Sequence, residues 1–298
     1  MKLIWQSKLV LLVVLPFAAA SVVLETHWWA VNCWPVAVWA VGLSLLLGLA
    51  GLRLGAATPA AAFCGAAITA SLIFSTVTFS PSEALVYAPW HTALVPVLAV
   101  FLLTAVTTRL GRVQKQRLGT AERREGRSAA QVAANLGVAA LVSSEFAQSW
   151  LSGAGWLAHA TPALPFAVGV AALAEAAADT VSSEAGQVLS LALGSRPRMI
   201  TTLRQAEPGT DGAVSLVGTL AGVAAAGVVA GVGALAFGGG LALFWISSAG
   251  GVFGLFFDSL LGATLERRGW LNNDAVNFLS TASAAAFALG LLAVLPHP

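Results

Sequence analysis

Long apolar runs separated by short polar segments dominate the hydropathy pattern of this chain. A helix needs about 20 mostly apolar residues to cross a bilayer. Nine segments meet or approach this length, although Thr, Ser and Gln dilute the third and the fifth. The pattern predicts an all-α polytopic membrane helical bundle with about nine transmembrane helices, over residues 8–24, 34–52, 58–79, 87–108, 129–148, 161–178, 213–236, 240–264 and 275–295.

The positions of the basic residues orient these spans. Membrane proteins concentrate Lys and Arg in their cytoplasmic loops. When nine spans alternate from a cytosolic N-terminus, all 15 basic residues fall on the cytosolic side. We therefore expect a cytosolic N-terminus and a multi-pass protein of the cell inner membrane. The half-polar segment 179–195 is either an extension of the sixth span or a re-entrant piece packed against protein.

Composition narrows the class of protein further. Hydrophobic residues make up 58% of the 298 positions and charged residues only 9%, whereas a soluble domain carries about 25% charged residues. A soluble enzyme, a disordered chain and a nucleic-acid binder with a basic face are excluded, so we expect membrane lipid and no nucleic acid as a partner. The few charged residues that remain are the candidates for function.

Ionisable side chains inside a span are costly and usually face a cavity or the bundle interior. In the sixth span, Glu175 and Asp179 are four residues apart and share one helical face, which Ser183 continues if the helix persists. Glu184 follows directly. A charged helix end at the cytosolic interface would explain Asp179 equally well.

The eighth span carries a second stripe at four-residue spacing. Gly250, Gly254, Asp258, Gly262 and Glu266 follow one another on one face. Close helix packing explains the glycines. It does not explain a carboxylate about two turns inside the cytosolic end of the span, so Asp258 is the stronger candidate for function.

Amides and acids also cluster where other spans begin. Asn273, Asp274 and Asn277 exceed what one helix N-cap requires. On the fifth span, Asn135 is either part of the same site or a hydrogen bond between helices. The seventh span is expected to begin near residues 209–215, where Thr210 or Asp211 caps the helix, or where Gly209, Thr210, Asp211 and Ser215 bind a phosphate.

In the nine-span arrangement all these polar residues lie near the cytosolic leaflet, which favours a pocket open to the cytosol. Beside it, seven basic residues lie between positions 109 and 127. They either orient the protein and touch anionic lipids or neutralise phosphate oxygens, while carboxylates hold Mg²⁺. All four histidines map to the outer side, so acid and base chemistry would fall to carboxylates. Phosphoryl transfer to a phosphate monoester fits best, since its nucleophile is already ionised.

The same motifs resemble the integral membrane family of domain of unknown function 92, which includes transmembrane protein 19 and plant phytyl-phosphate kinase. More distantly they are similar to CTP-dependent polyprenol kinases and CDP-diacylglycerol synthases. The resemblance covers roughly residues 110–280 and leaves the first 100 matching only in being apolar. It lies in segments 115–137, 178–186, 197–202, 209–222, 251–265 and 271–280.

The resemblance implies one transmembrane domain over residues 1–298, with N-terminal spans in 1–108 and a catalytic core in 109–298. It implies a Mg²⁺-dependent kinase that moves a phosphoryl group from CTP or ATP to a prenyl monophosphate such as phytyl phosphate. Two departures concern the phosphate contacts: Asp211 and Ala213 stand where relatives have Asn and Gly, and Ser128 stands where they have Arg.

On this hypothesis four carboxylates are catalytic and hold the metal: Asp179, Glu184, Asp258 and Asp274. The nucleotide and its phosphates are expected at Lys115, Arg127, Asn135, Ser183, Gly209, Thr210, Asp211, Ser215, Asn273 and Asn277. Two alternatives stay open, a nucleotidyltransferase that forms a CDP-lipid and a transporter of lipids or small metabolites. The sequence does not fix the prenyl chain length, the nucleotide or the oligomeric state.

Overall fold

The computed structural model of the chain describes residues 4–77, 88–111, 115, 126–156 and 161–294, with only the backbone at 191 and 192. A π-helical turn, Gly262–Glu266, extends the helix that ends at Leu261, and two short strands, β1 (Arg198–Met199) and β2 (Ala213–Val214), pair in antiparallel fashion. Within these residues there are ten α-helices: α1 (Ile4–Asn32), α2 (Trp34–Arg53), α3 (Pro59–Ser75), α4 (Leu94–Arg109), α5 (Ala129–Ser143), α6 (Glu145–Gly153), α7 (Phe166–Ala192), α8 (Leu216–Phe237), α9 (Gly240–Leu261) and α10 (Asn273–Val294).

The described residues confirm an all-α membrane protein. Six helices are long and apolar enough to cross a membrane, namely α1, α2, α7, α8, α9 with its π-helical turn, and α10. The other three apolar helices, α3, α4 and α5, are shorter. Each predicted span therefore contains an apolar helix, while the count of nine crossings and the cytosolic N-terminus stay predictions.

Helix α7 lies at the centre of the bundle and contacts α4, α5, α8, α9 and α10. Its small side chains allow this, because the alanines between residues 171 and 178 are almost completely buried. On α8, a Cβ atom at Gly218 or Gly222 would lie within 2.8 Å of a carbonyl oxygen of α7. Small residues at such crossings let helix backbones approach closely in a membrane protein.

The glycine stripe of α9 packs as expected. A Cβ atom at Gly250 would lie 2.8 Å from Ala171 Cβ on α7 and from the Ala284 carbonyl oxygen on α10. At Gly254 it would lie 2.5 Å from Glu175 Cγ. The glycine stripe therefore lets both α7 and α10 pack closely against α9, and it brings the Glu175 side chain into contact with α9.

Several helix termini with polar residues lie together at one end of the bundle, which we call the polar end. The Gln6 side chain donates to the Trp270 carbonyl oxygen at 2.8 Å, which ties the start of α1 to the segment before α10. Arg109 at the end of α4 donates to the Leu54 carbonyl oxygen after α2 at 2.7 Å. An isolated β-bridge links the backbone of Ala57, just before α3, to the backbone of Arg127, just before α5. All six residues lie at predicted cytosolic positions.

Two expectations about helix ends have different outcomes. Segment 179–195 extends the sixth span, since α7 continues to Ala192. The expected start of the seventh span was wrong, because α8 begins at Leu216 and its cap is Ser215, which accepts from Gly218 N–H at 3.1 Å. Thr210 and Asp211 lie before β2. Because β2 pairs with β1 and is extended, the helix begins only after it.

Candidate functional site

A cavity of about 270 Å³ opens between the polar ends of α7, α8, α9 and α10 and the hairpin that carries β1 and β2. We call it the acidic cavity, because four acids and no Lys or Arg line it among the described residues. An anion such as a phosphate would be repelled unless a cation accompanied it. The four acids are Asp179, Asp211, Asp258 and Glu266.

Two carboxyl groups meet at the floor of this cavity, and a third lies deeper in the bundle beside them. Asp179 on α7 and Asp258 on α9 are within hydrogen-bonding distance of each other. Glu175, one turn deeper on α7, interacts electrostatically with both aspartates, and the Ser280 side chain of α10 reaches Glu175 and Asp258. Bringing carboxylates together at membrane depth is unfavourable without a compensating cation.

Several polar atoms around this floor lack a protein partner. The buried atoms Asp258 Oδ1, Glu175 Oε1 and Gln187 Oε1 make no hydrogen bond in the described structure. Asp258 and Gln187 also line the cavity. An unpaired buried polar atom costs about 1–3 kcal/mol, so the oxygens of Asp258 and Gln187 are positioned for a ligand in the cavity that supplies positive charge or a donor.

These residues fit Mg²⁺ bound in its usual protein setting. The described residues contain no group of three or more His, Cys, Asp or Glu side chains arranged to hold a metal alone. Mg²⁺, however, is commonly held by only one or two carboxylates together with water and substrate phosphates. Asp179 and Asp258, with the unpaired Asp258 Oδ1, supply such a pair.

Arg127 is held beside the acidic cavity by its backbone. Its N–H donates to the Ala56 carbonyl oxygen at 3.0 Å, and its own carbonyl oxygen accepts from Thr58 N–H at 3.1 Å. The guanidinium donates to Thr180 Oγ1 at 3.4 Å and interacts electrostatically with Asp179. Its placement next to the carboxylates is compatible with the predicted phosphate contact.

Lys115 and Glu184 form an ion pair with each other. Lys115 is almost completely buried, and its ammonium also donates to the carbonyl oxygens of Thr107 at 3.1 Å and Thr108 at 2.8 Å, at the end of α4. Neither side chain lines the acidic cavity. Their predicted roles at phosphate and metal stay predictions, and the structure brings Glu184 together with Lys115 rather than with Asp258.

The asparagines of α10 form a hydrogen-bonded row. Asn273 donates to Asn277 Oδ1 at 3.1 Å, and Asn277 donates to Asn135 Oδ1 at 3.0 Å on α5. Asn273 and Asn277 line the acidic cavity, whereas Asn135 does not. The alternative that Asn135 makes a hydrogen bond between helices is therefore confirmed. Asp274 accepts from Ser7 Oγ at 2.5 Å and also lies outside the cavity lining.

The predicted phosphate-binding segment reaches the cavity as a loop rather than as a helix start. Its glycines at 209 and 212 adopt positive φ angles of 83° and 74°. Thr210 donates to the Glu207 carbonyl oxygen at 2.7 Å, and Ser215 accepts from Ser190 at 2.7 Å. Five predicted residues line the cavity: Ser183 from α7, and Gly209, Thr210, Asp211 and Ser215 from this loop.

The sequence interpretation left Glu266 out of the site. The structure places it in the cavity wall, where it interacts electrostatically with Asp211, Asp179 and Asp274. The four-residue spacing of the α9 stripe already placed Glu266 on the same helical face as Asp258. The π-helical turn that carries it is a feature often found at functional sites. Four of the seven basic residues between 109 and 127, Arg112, Arg117, Arg123 and Arg124, lie outside the described residues.

Comparison with known proteins places the chain among membrane proteins. It is 43% identical over 112 residues to the uncharacterized membrane protein MJ0933 of Methanocaldococcus jannaschii, covering 38% of this chain and 45% of that protein. It is 35% identical over 213 residues to the uncharacterized membrane protein sll0875 of Synechocystis sp., covering 68% and 74%. To the chloroplastic protein VTE6 of Arabidopsis thaliana it is 28% identical over 214 residues, covering 65% and 56%.

Two of these matches span less than two thirds of the relative's own length. No solved structure matches the chain. The model of the integral membrane protein family DUF92 matches residues 42–285, which include the whole acidic cavity and α3 to α9. The chain therefore belongs to the integral membrane protein family DUF92, the family that its sequence motifs resemble.

Proposed function

We propose that this protein is a membrane-embedded kinase that transfers the terminal phosphoryl group of a nucleoside triphosphate, CTP or ATP, to a prenyl monophosphate. The pairing of Asp179 with Asp258 in a cavity whose described lining holds no Lys or Arg carries the proposal. Such a cavity favours a divalent cation, and a divalent cation in turn favours phosphates. The family resemblance supplies the prenyl acceptor.

Asp179 and Asp258 would hold Mg²⁺, which when bound neutralises the charge of the nucleotide phosphates. The loop at 209–215 and the Asn273–Asn277 wall would contact the nucleotide. Arg127 would bind the acceptor phosphate next to Asp179. Lys115 and Glu184, which pair with each other, and Asp274, which pairs with Ser7, would position these elements.

The transfer needs no histidine base. An oxygen of the prenyl monophosphate forms a bond to the γ-phosphorus of the nucleotide. The bond from that phosphorus to the β–γ bridging oxygen breaks, and the nucleoside diphosphate leaves with the electron pair. Because the second pKa of a phosphate monoester is about 6, the attacking oxygen is already ionised at neutral pH. Catalysis then depends mainly on positioning and charge neutralisation.

The proposal is tested with purified protein in nanodiscs, Mg²⁺, and CTP or ATP with farnesyl, geranylgeranyl or phytyl monophosphate. We expect the prenyl diphosphate and the nucleoside diphosphate in equal amounts. Pyrophosphate release with a CDP-lipid product would favour the nucleotidyltransferase alternative. Nucleotide-independent movement of lipid phosphate across liposomes, with no new product, would favour the transporter.

A further inference from the structure

A second cavity, of about 170 Å³, lies between α2, α3, α4, α5 and α7. We call it the apolar cavity, because most of its lining is apolar and much of it consists of glycine and alanine. Gly51 and Gly65 open space on α2 and α3, and Val97 and Phe101 form the wall on α4. Within the part of the chain that the structure describes, it shares no lining residue with the acidic cavity.

The apolar cavity has the length of a lipid chain in one leaflet. Its lining on α4 runs from Val97 to Arg109, which at the rise of an α-helix is about 18 Å. Half of a hydrocarbon core of about 30 Å is about 15 Å. An apolar chain that enters from the polar end could therefore be enclosed along its length between these helices.

Both charged residues in the described lining are arginines, and both lie at the polar end. Arg109 is exposed and donates to the Leu54 carbonyl oxygen. Arg127 is fixed by its backbone hydrogen bonds to Ala56 and Thr58. Arginine is suited to phosphate because its planar guanidinium offers two parallel donors. An apolar cavity with two arginines at its polar end suits an amphiphile with an apolar tail and an anionic head group.

Arg127 also connects the apolar cavity to the acidic cavity. It lines the first and interacts electrostatically with Asp179, which lines the second. A second contact between the two cavities is the hydrogen bond from Asn277, which lines the acidic cavity, to Asn135, which lines the apolar cavity. A phosphate held by Arg127 would therefore lie at the boundary between the two cavities, next to the paired carboxyls.

We propose that the apolar cavity is the acceptor site and encloses the tail of a single-chain lipid monophosphate, with its phosphate on Arg127 and Arg109. The identification as an acceptor rests on the proposed kinase activity, whereas lipid binding itself requires neither nucleotide nor metal. In the balanced step given above, the attacking oxygen belongs to this phosphate, and the tail stays in the cavity.

Binding of farnesyl monophosphate is measured on the full-length protein in detergent micelles, without nucleotide or Mg²⁺, by equilibrium dialysis. The Gly65→Phe substitution fills the cavity, since a Cβ atom there meets only Val132 Cγ1, at 3.4 Å. Gly51→Phe is a second filling variant, on α2, where a Cβ atom would lie 3.6 Å from Ala57 Cβ. Gly42→Phe is the matched control on α2, where a Cβ atom meets nothing within 4 Å.

We expect at least tenfold weaker binding in both filling variants and in Arg127→Gln, with wild-type affinity in Gly42→Phe. Unchanged thermal midpoints show that each variant is folded. Farnesol and inorganic phosphate, tested separately, should bind far more weakly than farnesyl monophosphate. Wild-type affinity in a folded Gly65→Phe or Gly51→Phe protein would overturn the proposal, as would equal binding of farnesol.

The outcome separates this proposal from the kinase activity. If the filling variants lose lipid binding but wild-type protein transfers no phosphoryl group from CTP or ATP, the cavity assignment holds and the kinase proposal fails. If wild-type protein transfers the phosphoryl group and folded Gly65→Phe and Gly51→Phe do so at the same rate and KM, the kinase proposal holds and the cavity assignment fails.

Discussion

Asn277 on α10 donates a hydrogen bond to Asn135 Oδ1 on α5 at 3.0 Å, and this contact joins the walls of the acidic and apolar cavities. Asn135 is buried, so its amide oxygen depends on this donor. Hydrogen bonds between helices in membranes contribute about 0.6 kcal/mol on average. The pair therefore aligns two sites more than it stabilises the bundle.

We expect Asn135→Ala and Asn277→Ala to lower the thermal midpoint slightly and by similar amounts. The double variant should be little worse than either single variant, because both remove the same bond. Thermal unfolding of the four proteins in one detergent gives this double-mutant cycle. Additive losses would show that the two amides act independently.

Replacing Asp258 by Asn should abolish phosphoryl transfer while leaving the fold intact. The change keeps the size of the side chain but removes the negative charge that pairs with Mg²⁺, so we expect at least a hundredfold lower kcat, the scale of losing one electrostatic contribution to a transition state. Asp179→Asn should behave alike. Steady-state kinetics with varied Mg²⁺ check this.

The matched control for these changes is Glu207→Gln, because Glu207 is exposed at the same end and lies outside the cavity lining. Its rate should equal that of wild type. An Asp258→Asn protein that keeps its wild-type rate would remove Asp258 from the reaction.

Breaking the Lys115–Glu184 ion pair should destabilise the protein strongly. Lys115→Met leaves Glu184 without its cation, and removing one partner of a buried pair costs about 3–5 kcal/mol. The double variant Lys115→Met/Glu184→Gln should regain much of this stability. Lys8→Met, at an exposed lysine, is the control and should be neutral. Thermal unfolding is measured on the three variants and on wild type; a neutral Lys115→Met would show that the pair contributes nothing to stability.

Gly126→Ala should impair the site through the backbone that carries Arg127. Gly126 has a φ of 81°, and a Cβ atom there would lie 2.6 Å from Ala56 C and Ala57 N. A left-handed conformation in a residue other than glycine costs about 1–3 kcal/mol, and the contact displaces the α2–α3 loop. We expect weaker binding of the acceptor, seen as a higher KM for the lipid phosphate.

Gly153→Ala is the matched control for this substitution, since its Cβ atom would meet nothing within 4 Å. A Gly126→Ala protein with the stability and KM of the Gly153→Ala protein would contradict the positioning role of Gly126.

Much of the fold follows from the hydropathy pattern, because a bilayer requires long apolar helices whose backbone groups are bonded internally. The helical face of Glu175, Asp179 and Ser183 was predictable for the same reason, since α7 is one continuous helix. The packing role of Gly250 and Gly254 was predictable too. In each case the property belongs to a single helix and its spacing.

What the sequence could not give depends on contacts between distant segments. Nothing in the spacing of Lys115 and Glu184 indicates that they pair across 69 positions. The start of α8 was misplaced because the β1–β2 pairing, a contact between separate segments, holds residues 213 and 214 extended. The apolar cavity was not predictable for the same reason, since its mostly apolar lining is brought together from five helices.

The most direct test of the central claim is to follow the γ-phosphoryl group itself. Protein in nanodiscs is given Mg²⁺, a prenyl monophosphate and CTP or ATP labelled with ¹⁸O in the γ-phosphoryl group, and the lipid products are measured by mass spectrometry. We predict a prenyl diphosphate that carries the label with wild-type protein and none with Asp258→Asn. Absence of labelled diphosphate with both nucleotides and every prenyl monophosphate tested, or a CDP-lipid in its place, would contradict the account.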